Sequence, residues 1–439
     1  MITNEHKDLA RWAMDFALKN GCQASRVTLY NGSNSSFEIR DMKIDRLQQA
    51  SESSLIIQLF LDGRYGSYST NRLDRKELER FILNGIDSTR YLAEDVARTL
   101  PDASLYYKGG KPALQLLDPR FDQIEPDDKV ALAMKVCDEM MGKDSRIIST
   151  NSSYSDEKWY KYMVASNGFE GEGDSSNFTL VGSVSIKGDG EARPESYWYE
   201  SGLYYDTLTK EGIGTKALER ALRKLGQKKV ASGKYPMILD NMNSVRLVSP
   251  LISAIYGSNI QQKNSFLLDK LNQQVLSEKV ILIDEPHQPK TLGARYFDNE
   301  GIATKRLPIF ENGILTTYFV DTYAANKLNI PATIGNPSIL TMQMGTKDVD
   351  GLVASIDKGI LVTGFNGGNS SSTTGDFSYG VEGFVVENGK LAQPISEMNI
   401  TGNILILWDN LQEIGNDTRT SSSWKIPSLL FNDVDFSGL

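Results

Sequence analysis

Leu55-Ile-Ile-Gln-Leu-Phe-Leu61, Asp62-Gly63 and Tyr65-Gly-Ser-Tyr-Ser-Thr70 follow one another in the chain. The first run is apolar and strand-sized. Asp-Gly is a tight-turn dipeptide, and the third run interleaves rings with small polar residues. A strand, a two-residue turn and a second strand make a β-hairpin. Further strands are expected upstream, at Val27 to Tyr30 and Ser36 to Arg40. Helices flank this β-region. Leu9, Trp12, Ala13 and Phe16 fall on one helical face, and Asn20-Gly21 supplies a stop. Downstream, Asp74 with Glu77 has the pattern of a helix N-cap and its third-position partner, and Leu78, Phe81, Ile82 and Ile86 recur at helical spacing. Residues 1–101 therefore read as an N-terminal α+β domain.

A polar connection runs from Asp102 to Asp118. Residues 119–226 read as a β-rich middle domain. It opens with a helix capped by Asp127 or Asp128, with Val130, Met134, Cys137 and Met141 facing inward. Strands are expected at Ile147 to Ser155, Trp159 to Ser166, Thr179 to Lys187 and Ser196 to Glu200. An amphipathic basic helix then ends at Gly226. Residues 234–439 read as a C-terminal domain of mainly antiparallel strands with a few helices. Its clearest helix is Ser244 to Tyr256, with Val248, Leu251, Ile252 and Ile255 on one face. Asn312-Gly313 and Asn388-Gly389 are hairpin turns between apolar runs. The fold class is α+β.

Composition narrows the function. The chain has 439 residues, a formal charge of −9, two Cys and two His. Phosphate recognition needs clustered Lys and Arg, so no nucleic-acid partner is expected. No run of about 18 apolar residues occurs, so no membrane span is expected. The first twenty residues lack a continuous apolar segment of the secretory type, and a cytoplasmic location follows as the expectation. Cys22 and Cys137 cannot make a disulfide framework. His6 and His287 are too far apart for any close-spaced zinc pair.

Nucleophile motifs are missing too. There is no G-x-S-x-G elbow and no phosphate loop. Ser422 and Lys425 form an S-x-x-K within a serine run, which chance explains. Asp284, Glu285 and His287 could in principle hold a divalent ion or form a non-standard hydrolytic site, although Pro286 and Pro289 stiffen the turn. Gly364 to Gly383 is rich in Gly and Ser. It reads either as a flexible connection or as a site that exposes backbone to a peptide or partner. Gly367, Gly368, Asn369, Gly375, Phe377, Ser378 and Gly380 are its candidate contacts.

The chain resembles the TldD/PmbA family. Tyr235-Pro-Met-Ile-Leu-Asp240, Ser265-Phe-Leu-Leu-Asp269, Phe297-Asp-Asn-Glu-Gly301, Phe310-Glu-Asn-Gly313 and Gly375-Asp-Phe-Ser378 carry the likeness. Gly383-Phe-Val-Val-Glu-Asn-Gly389, Pro394-Ile-Ser-Glu397 and Lys425-Ile-Pro-Ser-Leu429 continue it. Leu61-Asp-Gly-Arg64 and Ser166-Asn-Gly-Phe-Glu-Gly171 extend it to the first two domains. The family includes metalloproteases whose catalytic branch, TldD, carries H-E-x-x-x-H on a C-terminal-domain helix. Family members have been linked to trimming of peptide antibiotics and to a label as modulators of DNA gyrase.

Here the corresponding helix includes Leu251, Ile252, Ser253, Ala254, Ile255 and Tyr256, with neither His nor Glu. The resemblance therefore implies the PmbA/TldE branch. On that reading the chain is a non-catalytic subunit of a heterodimeric peptidase, with no catalytic residues, no metal and no cofactor of its own. Its partner would be a TldD-like zinc subunit and its substrate a peptide or small unfolded protein. Two alternatives stand beside this one. One is a self-sufficient hydrolase around His287. The other is a binding or scaffold protein that forms a homodimer in isolation.

Overall fold

A computed structural model describes residues 1–110 and 113–439. Part of the connection expected at Asp102 to Asp118, namely Lys111 and Pro112, lies outside the described residues. Asp62 and Gly63 both take positive φ, 49° and 70°, as a two-residue hairpin turn requires.

The first half of the chain comprises α1 (Asn4–Lys19), β1 (Ala24–Arg40), β2 (Lys43–Leu61), β3 (Arg64–Thr70), α2 (Arg75–Thr89), α3 (Pro126–Asp138), β4 (Ile147–Ala165), β5 (Phe169–Ile186), β6 (Glu195–Gly202) and α4 (Ile213–Arg223). Asp74 caps α2 as expected, accepting from the amides of Lys76 and Glu77. His6 does more than face solvent. Its ring accepts from the Thr3 amide while the Thr3 hydroxyl accepts from the His6 amide, a reciprocal cap on α1. The third helix starts ahead of the expected Asp127 or Asp128. Glu125 is its N-cap and Pro126 opens it, because proline's fixed φ suits a first turn whose N–H is unpaired anyway. Met141 is exposed and Met140 takes the core position instead.

The strands form one antiparallel sheet in the order β3-β2-β1-β4-β5-β6. One face is covered at one end by α1 and α2, over Val27, Leu55, Ile57, Leu59, Tyr162 and Val164. The same face is covered at the other end by α3 and α4, over Phe37, Tyr154, Phe178, Leu180 and Val184. The opposite face carries Trp159, Lys161 and Met163 of β4. The Ala294–Phe297 segment of the C-terminal half packs there, with Phe297 meeting Met163 and Phe169.

The second half comprises β7 (Gly233–Leu239), α5 (Val245–Ala254), α6 (Gly257–Gln261), β8 (Leu282–Asp284), β9 (Leu307–Glu311), β10 (Ile314–Leu315), α7 (Thr322–Leu328), β11 (Leu340–Met342), α8 (Val349–Ala354), β12 (Lys358–Ser370), β13 (Asp376–Glu387), β14 (Lys390–Asn403), α9 (Ile404–Asp409), β15 (Leu411–Ile414), β16 (Trp424–Lys425) and β17 (Leu429–Ser437). The sheet order β14-β13-β12-β7-β17-β15 is closed by a further β14–β17 pairing, so the strands wrap into a barrel. Closure removes most free edges. A smaller sheet, β10-β9-β8-β11-β16, packs beside it. Asn312-Gly313 and Asn388-Gly389 turn as expected, all four residues having positive φ.

Candidate functional site

The helix to which the sequence resemblance drew attention forms because Leu247, Val248, Leu251 and Ile252 share one face. All four are buried in the barrel core, with Ala254 and Ile255. Each large apolar side chain buried there contributes about 1.5–3 kcal/mol. The helix is shorter than the expected Ser244 to Tyr256. It stops at Ala254 because the Gly257 amide turns to the Phe319 carbonyl, 2.7 Å away, and Tyr256 bridges to Phe319. Any side chain at 257 would press on the Ala324 methyl. Ser253 and Tyr256 are half-buried.

These residues do not fit zinc. Divalent zinc requires thiolate, imidazole or carboxylate donors, and Leu251, Ile252, Ala254 and Ile255 offer none. Among the described residues no three His, Cys, Asp or Glu side chains converge on a point. Asp284, Glu285 and His287 are each engaged elsewhere. Asp284 is fully buried, accepting from the Ser338 and Ile339 amides. Glu285 accepts from Gln288 and lies 3.5 Å from Arg306. His287 Nε2 lies 3.1 Å from the Thr304 hydroxyl.

The opposite, polar side of α5 faces a groove with a volume of about 730 Å³. Arg246 and Ser249 form one wall, Thr363–Gly367 of β12 the second, and Arg220 of α4 with Lys224 just past its end the third. The Gly-rich segment is therefore mostly strand rather than a loose connection. It bulges twice against β13, and Thr363, Asn366 and Gly367 have no ladder partner. Three side chains hold the bulged backbone. Asn243 and Arg220 both donate to the Thr363 carbonyl, at 2.9 and 3.0 Å. Arg246 donates to the Gly368 carbonyl at 2.9 Å while its guanidinium lies 4.9 Å from the Tyr379 ring. Beneath them the buried Asp240 carboxylate accepts from Asn243 and sits 3.6 Å from Arg220; burial pushes its pKa up.

The candidate contacts separate by exposure. Gly367, Gly368, Asn369 and Ser378 are exposed, and Gly380 is half-buried opposite Asn366. Phe377 is buried, its ring stacked on Tyr379 at 5.4 Å. Gly375 is buried against Phe266. Both of these are packing residues. Arg220, Asn243 and Arg246 were not foreseen. Arg246 could have been found as the polar counter-face of an amphipathic helix; the other two depend on the tertiary fold. The groove offers fixed cations, unpaired strand backbone and a serine hydroxyl. Among the described residues neither His nor Cys lines it.

Comparison with known proteins agrees with this architecture. The PmbA/TldA metallopeptidase C-terminal domain matches residues 232–438, the central domain of the same family residues 119–225, and its domain 1 residues 27–88. The metalloprotease PmbA of Escherichia coli O157:H7 is 28% identical over 399 residues, 90% of this chain and 88% of that one. A crystal structure from Bacteroides thetaiotaomicron, described as a proposed modulator of DNA gyrase, superposes with a TM-score of 0.98. It is 63% identical, and the whole of both chains is covered. TldE of Thermococcus kodakarensis shares the fold, with a TM-score of 0.85 at 18% identity over 98% of this chain and 99% of that one. No helix among the described residues is long and apolar enough to cross a membrane.

Proposed function

From the premise that this chain belongs to the PmbA/TldA metallopeptidase family, we propose that it is the non-catalytic subunit of a TldD-type metalloprotease complex. One observation carries the reading. The helix on which the catalytic branch holds its metal is here filled with Leu251, Ile252, Ala254 and Ile255, all in the core. The chain's own task is then to bind. Its groove between α5, β12 and α4 would form one wall of the chamber, with the bulged backbone at Asn366 and Gly367 pairing to an extended peptide substrate. Arg220, Asn243 and Arg246 hold that backbone in place, so the peptide meets a surface already ordered and less is lost on binding.

Co-expression with a zinc subunit bearing H-E-x-x-x-H, in the cytoplasm of a bacterial host, tests the proposal. The two chains are expected to co-purify, and peptide cleavage by the zinc subunit is expected to fall when this chain is removed. Failure to co-purify, with cleavage unchanged on removal, overturns it. A monodisperse homodimer that ignores the zinc subunit would support the scaffold reading instead.

A further inference from the structure

A second cavity, of about 1100 Å³, lies mainly on the face of the first sheet away from its helices and reaches round to Lys7 of α1. Its floor is β4 and β5, its roof is the Thr291–Phe297 segment with Pro337 and Ser338, and residues 113–117 complete the wall; Glu157, Asp174 and Glu172, the last paired with Lys7, also line it. Lys161 points into it from β4. The strand register places Gly173 directly across, and Gly171 and Ser175 flank that position on the same face. The floor beside the lysine is therefore close to bare backbone. A side chain at 171 would strike Phe297, and one at 173 would meet Trp159.

Lys161 is only 9% exposed, yet among the described residues its ammonium has neither a carboxylate within 4.0 Å nor a hydrogen-bond acceptor. It lies 4.8 Å from the centre of the Phe297 ring. Burial and the nearby Arg295 guanidinium push its pKa down to about 8. Arg295 is half-buried. It donates to the Ser338 hydroxyl at 2.8 Å and to the Asn336 carbonyl, and no carboxylate pairs with it within 4.0 Å among the described residues. Asp298, the acid that acts on both cations, is occupied by three backbone amides, those of Glu300, Ile302 and Gly335. An ammonium largely withdrawn from water with no partner in the protein is costly. Lys161, which has no acceptor, and Arg295, which has neutral acceptors but no carboxylate, both line one open cavity and leave a position that a carboxylate would satisfy with charge-assisted hydrogen bonds.

We propose that the cavity between the first sheet and the Thr291–Phe297 segment is a binding site for a carboxylate-bearing ligand, held by Lys161 and Arg295. The carboxylate could belong to a peptide C-terminus or to a free aromatic acid, since Trp159, Tyr296 and Phe297 also line the cavity. The proposal does not depend on the zinc partner, so the co-purification experiment and this one fail independently.

The test is calorimetric titration of the full chain with three probes: the tetrapeptide Ala-Ala-Ala-Phe, the same peptide amidated at its C-terminus, and phenylacetate. The acid peptide or phenylacetate is expected to bind at least about tenfold more tightly than the amide, the value of one charge-assisted hydrogen bond. Tighter binding of the peptide identifies a chain end; equal binding of phenylacetate identifies a free acid. Lys161→Met keeps the apolar stem and is expected to lose about tenfold or more in affinity while melting no lower than the parent. A parent that binds none of the probes, or acid and amide bound equally, overturns the proposal. So does a Lys161→Met variant that binds as well as the parent, or one that melts lower, since the ammonium would then be serving the fold.

Discussion

Truncating Leu251 to Ala removes a side chain that is 1% exposed at the centre of α5. Its neighbours in the same core include Leu247, Val248 and Ile252, with Trp408 close by. The loss has two parts, the transfer of the deleted methyl groups and the cavity they leave, together about 2–5 kcal/mol for a buried leucine. For a unit the size of the C-terminal half, a loss near the middle of that range lowers its melting temperature by roughly 6–12 °C. Trp408 is a suitable reporter, because its indole is fully buried and Nε1 donates to the Leu247 carbonyl at 3.1 Å. Urea unfolding followed by tryptophan emission should show the main transition moved to lower denaturant with its slope unchanged. Ser249→Ala, on the exposed groove side of the same helix, should shift stability by no more than about 0.5 kcal/mol. If Leu251→Ala were as mild as Ser249→Ala, the helix would not be core packing. If a chelator destabilised the parent chain as much as Leu251→Ala does, a metal would be holding the helix, and the reasoning would be wrong.

Asp74→Ala should cost about 0.5–2 kcal/mol, because the carboxylate caps two amides of α2; thermal unfolding of the N-terminal half reads it. Gly383→Ala should destabilise the barrel by about 1–3 kcal/mol or more. A methyl there would sit 1.9 Å from the Leu361 carbonyl oxygen, and the soluble yield and urea midpoint report the loss. Burial pushes the Asp284 carboxyl up from its ordinary 3.8 to about 6. The unfolded chain therefore releases that proton first. Stability from this group is full below about pH 4 and is lost as pH rises towards 6. Asp284→Asn, which keeps an acceptor for Ser338 and Ile339, should flatten that part of the stability–pH curve; an unchanged curve would show the carboxyl is not the source.

Local signals carried the turns and caps. Asp62-Gly63, Asn312-Gly313 and Asn388-Gly389 act through backbone conformations that few other residues accept. Asp74 acts through its own carboxylate. The strands were harder. β1 runs unbroken from Ala24 to Arg40, whereas its side chains suggest two strands separated by Asn31-Gly-Ser-Asn-Ser35. The polar stretch stays extended because β2 and β4 both pair with it through the backbone, whatever the side chains are. The first ten residues of β2, Lys43–Glu52, are exposed, so no apolar alternation marks them.

The site divides in the same way. The absence of His, Cys, Asp and Glu from Leu251 to Tyr256 was legible in the sequence itself. The groove was not, since Asn243 and Arg220 lie 120 and 143 residues from the Thr363 carbonyl that they share. Lys161 gave no signal at all. It is a lone lysine between Trp159 and Met163 on one face of its strand, and much of what covers it is a segment more than a hundred residues away.

The central claim is that this chain binds while another chain holds the metal. Metal analysis and peptide cleavage, measured on the purified chain and on its complex with an H-E-x-x-x-H subunit, test it most directly. The account predicts no stoichiometric zinc and no cleavage for this chain alone, and zinc with cleavage in the complex, both abolished by changing the partner's histidines. Stoichiometric zinc on this chain alone, with cleavage that survives its separation from the partner, would contradict it.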